Sequence, residues 1–249
     1  MATPQSTAIQ KARNYSDVVF LQDASTFDDF IKEPASFIAQ VVTGILSGGM
    51  KGIAVSGGRL VQGILKARLF EQFGREFKQW QDTGKISADF AEKKYGFQTW
   101  VELMTIIDQE SPDEDRLEAL KAMFLAVNRP DINDHQRILE YQLWNVTKQL
   151  NSGELLLLKH IYQDRGTLSH IAQGGYYAWA NALAKSTGFG VNGLVDLYQA
   201  KLVDLFLITQ RQHADGSGVS TSNGRLTEFG LRLSANIETY THGMTQPKE

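Results

Sequence analysis

The segment Gly44–Gly63, "GILSGGMKGIAVSGGRLVQG", decides the fold. It sets Gly44, Gly48, Gly49, Gly52, Gly57, Gly58 and Gly63 among Ile, Leu, Met and Val, with Lys51 and Arg59 as its charged residues. Read as a phosphate-cradling loop, or as a strand running into a nucleophile turn, it belongs to an α/β protein. Read as one face of a close-packed helix, it belongs to a mainly α protein.

The loop reading lacks its chemistry. A Walker loop needs Gly-x-x-x-x-Gly-Lys followed by Ser or Thr, so that an ammonium and a hydroxyl meet the phosphates, and no segment supplies that order. "AVSGGR" resembles the opening of the loop in ATP pyrophosphatases, which continues to an Asp-Ser pair; here Arg59, Leu60 and Val61 follow instead. The nucleophile reading puts Ser56 at the serine of Gly-x-Ser-x-Gly, with Ala54 replacing the first glycine and "GIAV" as the preceding strand. An α/β hydrolase needs several more buried strands, and apart from "DVVFL" the first 150 residues read as helices. The five histidines, His135, His160, His170, His213 and His242, show neither metal-ligand spacing nor an acid marking a triad. The expectation is a protein that is not an enzyme, with no catalytic residue, metal or cofactor.

Helical spacing remains. Gly44, Gly48, Gly52 and Ser56 recur at every fourth residue, which lines four small side chains along one helix face while Ile45, Leu46, Ile53, Val55 and Leu60 project elsewhere. Such a row lets backbones touch, as in the small-xxx-small packing of membrane helices, and predicts helix packing and oligomerisation through those four residues. Each glycine costs about 1 kcal/mol of helix propensity in water, so the row needs a compensating contact. Spanning a bilayer takes about 20 mostly apolar residues, and Lys51 interrupts the run unless it snorkels or faces a water-filled lumen. Beyond the glycines, Lys51, Arg59, Lys66, Arg68, Arg75 and Lys78 outnumber Glu71 and Glu76, a basic bias suited to anionic lipid. A membrane role and a soluble packing role for residues 34–70 both stay open.

The surrounding sequence is helical and globular. At 249 residues, 42% hydrophobic and 10% aromatic, the chain can bury one large or two small cores. The net charge of −3 gives no whole-chain attraction for nucleic acid, and the lack of cysteine excludes disulfides and thiolate chemistry. The N-terminal residues are polar, without the apolar core of a secretory signal, and read as an arm. "DASTFDDFIKEP" has helix-start residues before Pro34, "LVQGILKARLFEQFGREFKQW" repeats apolar residues at helical spacing, and "ISADFAEKKYGFQTWVELMTIIDQE" continues that pattern. "SPDEDRLEALKAMFLAV" predicts a helix with Ser111 as cap and Pro112 in the first position; "NDHQRILEYQLWNVTKQL" predicts another.

The pattern changes near Asn151. "SGELLLLKHIYQ", "GGYYAWANALAKSTG" and "VNGLVDLYQAKLVDL" predict three helices, "FLITQRQ" a strand, "HADGSGVSTSNG" a loop and "RLTEFGLRLSANIETY" a closing helix. Leu226, Thr227, Gly230 and Leu233 resemble the wing-to-last-helix junction of many bacterial winged-helix proteins, with Thr227 as cap and Gly230 allowing close approach to the sheet. The third helix offers Asn192, Gln199 and Lys201 but also Asp196 and Asp204, a poor set for reading duplex DNA. Lys201, Arg211, Arg225 and Arg232, with His213 beside the hairpin, are the ligand-binding candidates, and Tyr176, Tyr177 and Trp179 offer stacking faces or ordinary core.

The expected layout is a polar arm over 1–24, a helical domain with a glycine-spaced hairpin over 25–150, and a winged-helix-like domain over 151–249. In build this resembles small membrane effectors of bacterial antiphage abortive-infection systems, including the Hailong type. That resemblance implies a self-associating channel or pore at the bacterial inner membrane, opened under control of a nucleotide or oligonucleotide ligand. The alternative is a cytoplasmic winged-helix regulator or adaptor that binds DNA or a protein partner.

Overall fold

A computed structural model describes residues 57–87, 89–110, 112–172, 175–189, 191–210 and 222–245. The described chain is mainly helical, with α1 Gly57–Asp82, α2 Lys94–Glu110, α3 Glu114–Asn128, α4 Asp134–Thr147, α5 Ser152–Gln163, α6 Arg165–Ala172, α7 Tyr176–Thr187, α8 Asp196–Asp204 and α9 Glu228–Thr245. A π-helical turn, Val191–Val195, leads into α8, and a 3-10 turn, Ser222–Arg225, precedes α9. Among the described residues no helix is long and apolar enough to cross a membrane. Gly44, Gly48, Gly52 and Ser56 lie outside the described residues, as do the "DVVFL" and "GIAV" strands and the N-terminal arm.

The chain forms two compact units. The first holds the described residues through Pro112 together with Val127–Ile138; the second holds Asp113–Ala126 and the described residues from Leu139 onward. In the first, Phe70, Phe73, Phe77 and Trp80 recur at spacings of three and four along α1, so all four fall on one buried stripe. Phe73 and Phe77 each pack against Trp100 of α2, at 5.4 Å and 5.5 Å between ring centroids. Edge contacts of Phe77 with Phe90 and of Phe73 with Trp80 complete an aromatic core.

Where the sequence predicts one helix from Ile86 through Glu110, the structure delays it to Lys94. Gly84 ends α1 in a left-handed conformation (φ 65°), and Asp89 binds the Ser87 hydroxyl and the Lys93 ammonium, folding the connection into turns. The Lys93 bond, the largest cause, with that of Ser87, lowers the Asp89 pKa to about 2. Gly96 then brings the first turn of α2 against the carbonyl of Phe90, where an added Cβ would sit 2.0 Å from that oxygen. The start of α3 is also displaced. Its cap is Asp113, whose carboxylate accepts the Arg116 amide at 3.0 Å, rather than Ser111. The Asp113 carboxylate takes an orphan amide of the first turn, where a negative charge also meets the positive helix end. At the other end, the Arg137 guanidinium donates to the carbonyls of Val127 (2.5 Å) and Ile132 (3.3 Å), a buried cation at a helix C-terminus.

In the second unit, Asn151 and Glu154 form a reciprocal capping box that starts α5 at Ser152. The sequence reading passes over α6, which follows α5 after Asp164 alone. The central α5 packs against α7, α8 and α9, burying Leu157, Leu158 and Ile161. Ending α8, Phe206 takes the left-handed position usually given to glycine (φ 58°), and its amide and that of Leu207 return to the carbonyls of Val203 and Leu202 at 2.9 Å. Among the described residues, the expected strand shows one antiparallel bridge, Ile208 with Leu226. The described chain reaches Leu226 through left-handed Asn223, Gly224 and Arg225, a path unlike that of an extended strand. Thr227 caps α9 by accepting the Gly230 amide at 3.0 Å, and Gly230 admits the Leu207 carbonyl, which a Cβ would approach to 2.0 Å.

Gly96→Ala should cost about 2–3 kcal/mol through overpacking against fixed backbone, lowering Tm in a thermal melt by roughly 5–10 °C. Gly166→Ala, whose Cβ meets open space within α6, should leave Tm unchanged or raise it.

Candidate functional site

Of the cations expected at the C-terminal hairpin, Arg225 and Arg232 are engaged by partners within the fold. Arg225 is 5% exposed, and its guanidinium lies 4.4 Å from the ring centroid of Trp179, donates to Gln199 Oε1 at 2.9 Å and donates to the Thr209 carbonyl at 2.6 Å. Arg232 donates through Nε and Nη2 to Glu140 Oε1, at 2.9 Å and 2.6 Å, while Asn236 holds the other oxygen at 2.8 Å. Glu140 is buried, so this pair is an internal charge neutralised on the spot. Lys201 stays half-buried on α8, and Arg211 and His213 lie outside the described residues.

The aromatic trio divides in the same way. Trp179 is fully buried and donates to the Gly224 carbonyl at 3.3 Å, the Tyr176 hydroxyl donates to Asp196, and Tyr177 is 72% exposed. One ring of the three is therefore presented on the surface. The π-turn and α8 also carry exposed apolar side chains: Leu194 is 42% and Leu197 63% exposed, with Ala200 exposed and Phe206 exposed beyond the helix end. Gln199, one of the polar residues weighed for base reading, is held by Arg225, and Asp196, which weighed against it, by Tyr176.

A second concavity, absent from the sequence reading, sits between α3, α5 and α9 within the second unit. It has a volume of about 150 Å³ and is lined by Asp115, Glu118 and Glu238 as well as Lys159, Ser234 and His242. Burial raises the Glu118 pKa above its ordinary value; Lys121 opposes this, Glu114 and Asp115 reinforce it, and Lys159 opposes it weakly. The i, i+4 spacing of α9 places Ser234 and Glu238 on one face, but two helices distant in sequence, α3 and α5, build the rest, so no motif marks it. Among the described residues no group of His, Asp and Glu is placed to hold a metal ion. No protein-family model, curated protein or solved structure matches the chain.

Two outcomes follow. Arg225→Glu should cost about 2–4 kcal/mol by stranding Gln199, the Thr209 carbonyl and the Trp179 face, lowering Tm by roughly 5–15 °C, whereas Lys201→Ala should shift it by less than about 2 °C. For Glu118 the folded pKa lies above the unfolded value of 4.5, so the native state holds the proton more tightly and the group destabilises as pH rises through that window. Glu118→Gln should therefore raise Tm at pH 7, and the gain should vanish near pH 3 in melts across that range.

Proposed function

We propose that this chain is a non-catalytic regulator or adaptor whose second unit is a winged-helix-type module that docks a protein, and that the docked protein is a second copy of the chain. The observation that carries this reading is the outward face of α8, where Leu194, Leu197 and Ala200 stand in place of the Arg, Lys, Asn and Gln that base edges and phosphates require. Support for the winged-helix assignment comes from the helix order, the Ile208–Leu226 bridge, the Thr227 cap and the Gly230 contact.

Self-pairing is favoured by the pattern of α8 itself. In an antiparallel two-fold pairing centred between Leu197 and Ala200, each Leu197 meets the small Ala200 of the other copy, and each Lys201 meets the other copy's Asp196. Large meets small and opposite charges meet. A duplex would meet an uncharged ridge flanked by Asp196 and Asp204.

Sedimentation of the full chain should give a concentration-dependent dimer that Leu197→Glu converts to monomer with the melt unchanged, since that side chain is 63% exposed. A monomeric wild type, or a dimer indifferent to Leu197→Glu, refutes the pairing. Duplex binding whose affinity falls steeply with salt would restore the DNA reading.

A second reading attaches to residues 34–70. The row Gly44, Gly48, Gly52 and Ser56 supports a self-associating, channel-type antiphage effector at the bacterial inner membrane, controlled by a nucleotide or oligonucleotide. Pelleting with membranes that Gly48→Leu diminishes is the outcome that favours it.

A further inference from the structure

We infer that the concavity between α3, α5 and α9 is a binding site for a small organic cation, a primary amine carried on a compact apolar body. The charge balance of the lining sets the sign of the ligand: Asp115, Glu118 and Glu238 face one lysine, Lys159, with the His242 ring 3.3 Å from Glu238. Leu155, Leu158 and Ile237 supply an apolar wall beside the polar Tyr162, Gln163 and Thr241. An ammonium head would replace the water that the Glu118 carboxylate loses on burial, and the apolar wall would take the body.

Ser234 supplies an independent sign of an occupant. It lies on the cavity wall, is 5% exposed, and its hydroxyl is buried without a hydrogen-bond partner. Helical serines usually satisfy themselves on the carbonyl four residues back, and a buried hydroxyl left unmade is a cost that evolution seldom keeps without use. A turn of the Ser234 side chain toward the cavity would let a ligand ammonium donate to that oxygen. Size narrows the class: about 150 Å³ is the volume of cavity that holds a benzene ring, so the body has roughly six to eight non-hydrogen atoms. A nucleotide is several times larger and carries the wrong charge, which separates this site from the nucleotide control considered above.

Benzylamine, benzyl alcohol and benzoate probe the inference on the full chain, read by calorimetry and by amide chemical-shift changes. Benzylamine should bind saturably, with shifts clustered in α3, α5 and α9, while benzyl alcohol binds about tenfold or more weakly and benzoate does not bind. Glu118→Gln should weaken benzylamine by about tenfold while raising Tm, a combination that loss of structure does not give. Ser234→Ala should weaken it several-fold, and Glu238→Gln, on the open side, provides a second charge variant. Equal affinity for amine and alcohol, unchanged affinity in both charge variants, or no saturable binding overturns the proposal.

Discussion

The buried guanidinium of Arg225 is the constraint on which the C-terminal half of this protein turns. It lies over the Trp179 face of α7, binds Gln199 on α8, and binds the Thr209 carbonyl next to the bridge. A left-handed turn brings it there, and that turn is itself held from α6, whose Ser169 hydroxyl accepts the Gly224 amide at 2.8 Å. The cation therefore ties two helices to the bridge, and the turn that carries it ties in a third. Asn223 and Gly224 adopt the left-handed region at low cost, whereas Arg225 does so at φ 79°, and its internal bonds offset that strain.

Spending Arg225 inside the fold changes what the outside can do. With Arg232 fixed on Glu140 as well, two candidate phosphate ligands serve internal architecture, and α8 meets solvent with Leu194 and Leu197. Electrostatic attraction for a polyanion needs several cations on one surface, and desolvating leucine needs an apolar counterpart. The balance favours a protein partner. On the opposite logic, the cavity beside α5 gathers carboxylates around an apolar wall, and its negative sign selects a cation. The two sites share the second unit but call for different chemistry, so α8 can be altered without touching the charge of the cavity.

Much of this was legible in the sequence where local physics decides. The helical apolar spacing of "LVQGILKARLFEQFGREFKQW" gave the helix that buries Phe70, Phe73, Phe77 and Trp80, and "SGELLLLKHIYQ" gave the helix that the Asn151–Glu154 capping box starts. Thr227 and Gly230 showed their roles because a cap and a close approach each depend on one residue type. Non-local competition was not legible. Asp113 took the cap from Ser111, turns around Ser87 and Asp89 shortened α2, and α6 hid behind α5. The engagement of Arg225 was hidden for the same reason, since Trp179 and Gln199, which hold it, are distant in sequence. Ser234 and Glu118 meet only when α3 and α9 pack, and nothing in either segment alone announces a cavity.

The central claim is that α8 is a protein-docking face and not a reader of nucleic acid. Amide hydrogen exchange on the full chain, followed from low to high micromolar concentration and again with added duplex, tests it most directly. The account predicts that protection at Leu194–Lys201 grows with protein concentration and is indifferent to duplex, while the exchange of α5, buried in every state, stays constant. Protection at Leu194–Lys201 that ignores concentration, or that rises when duplex is added, contradicts it.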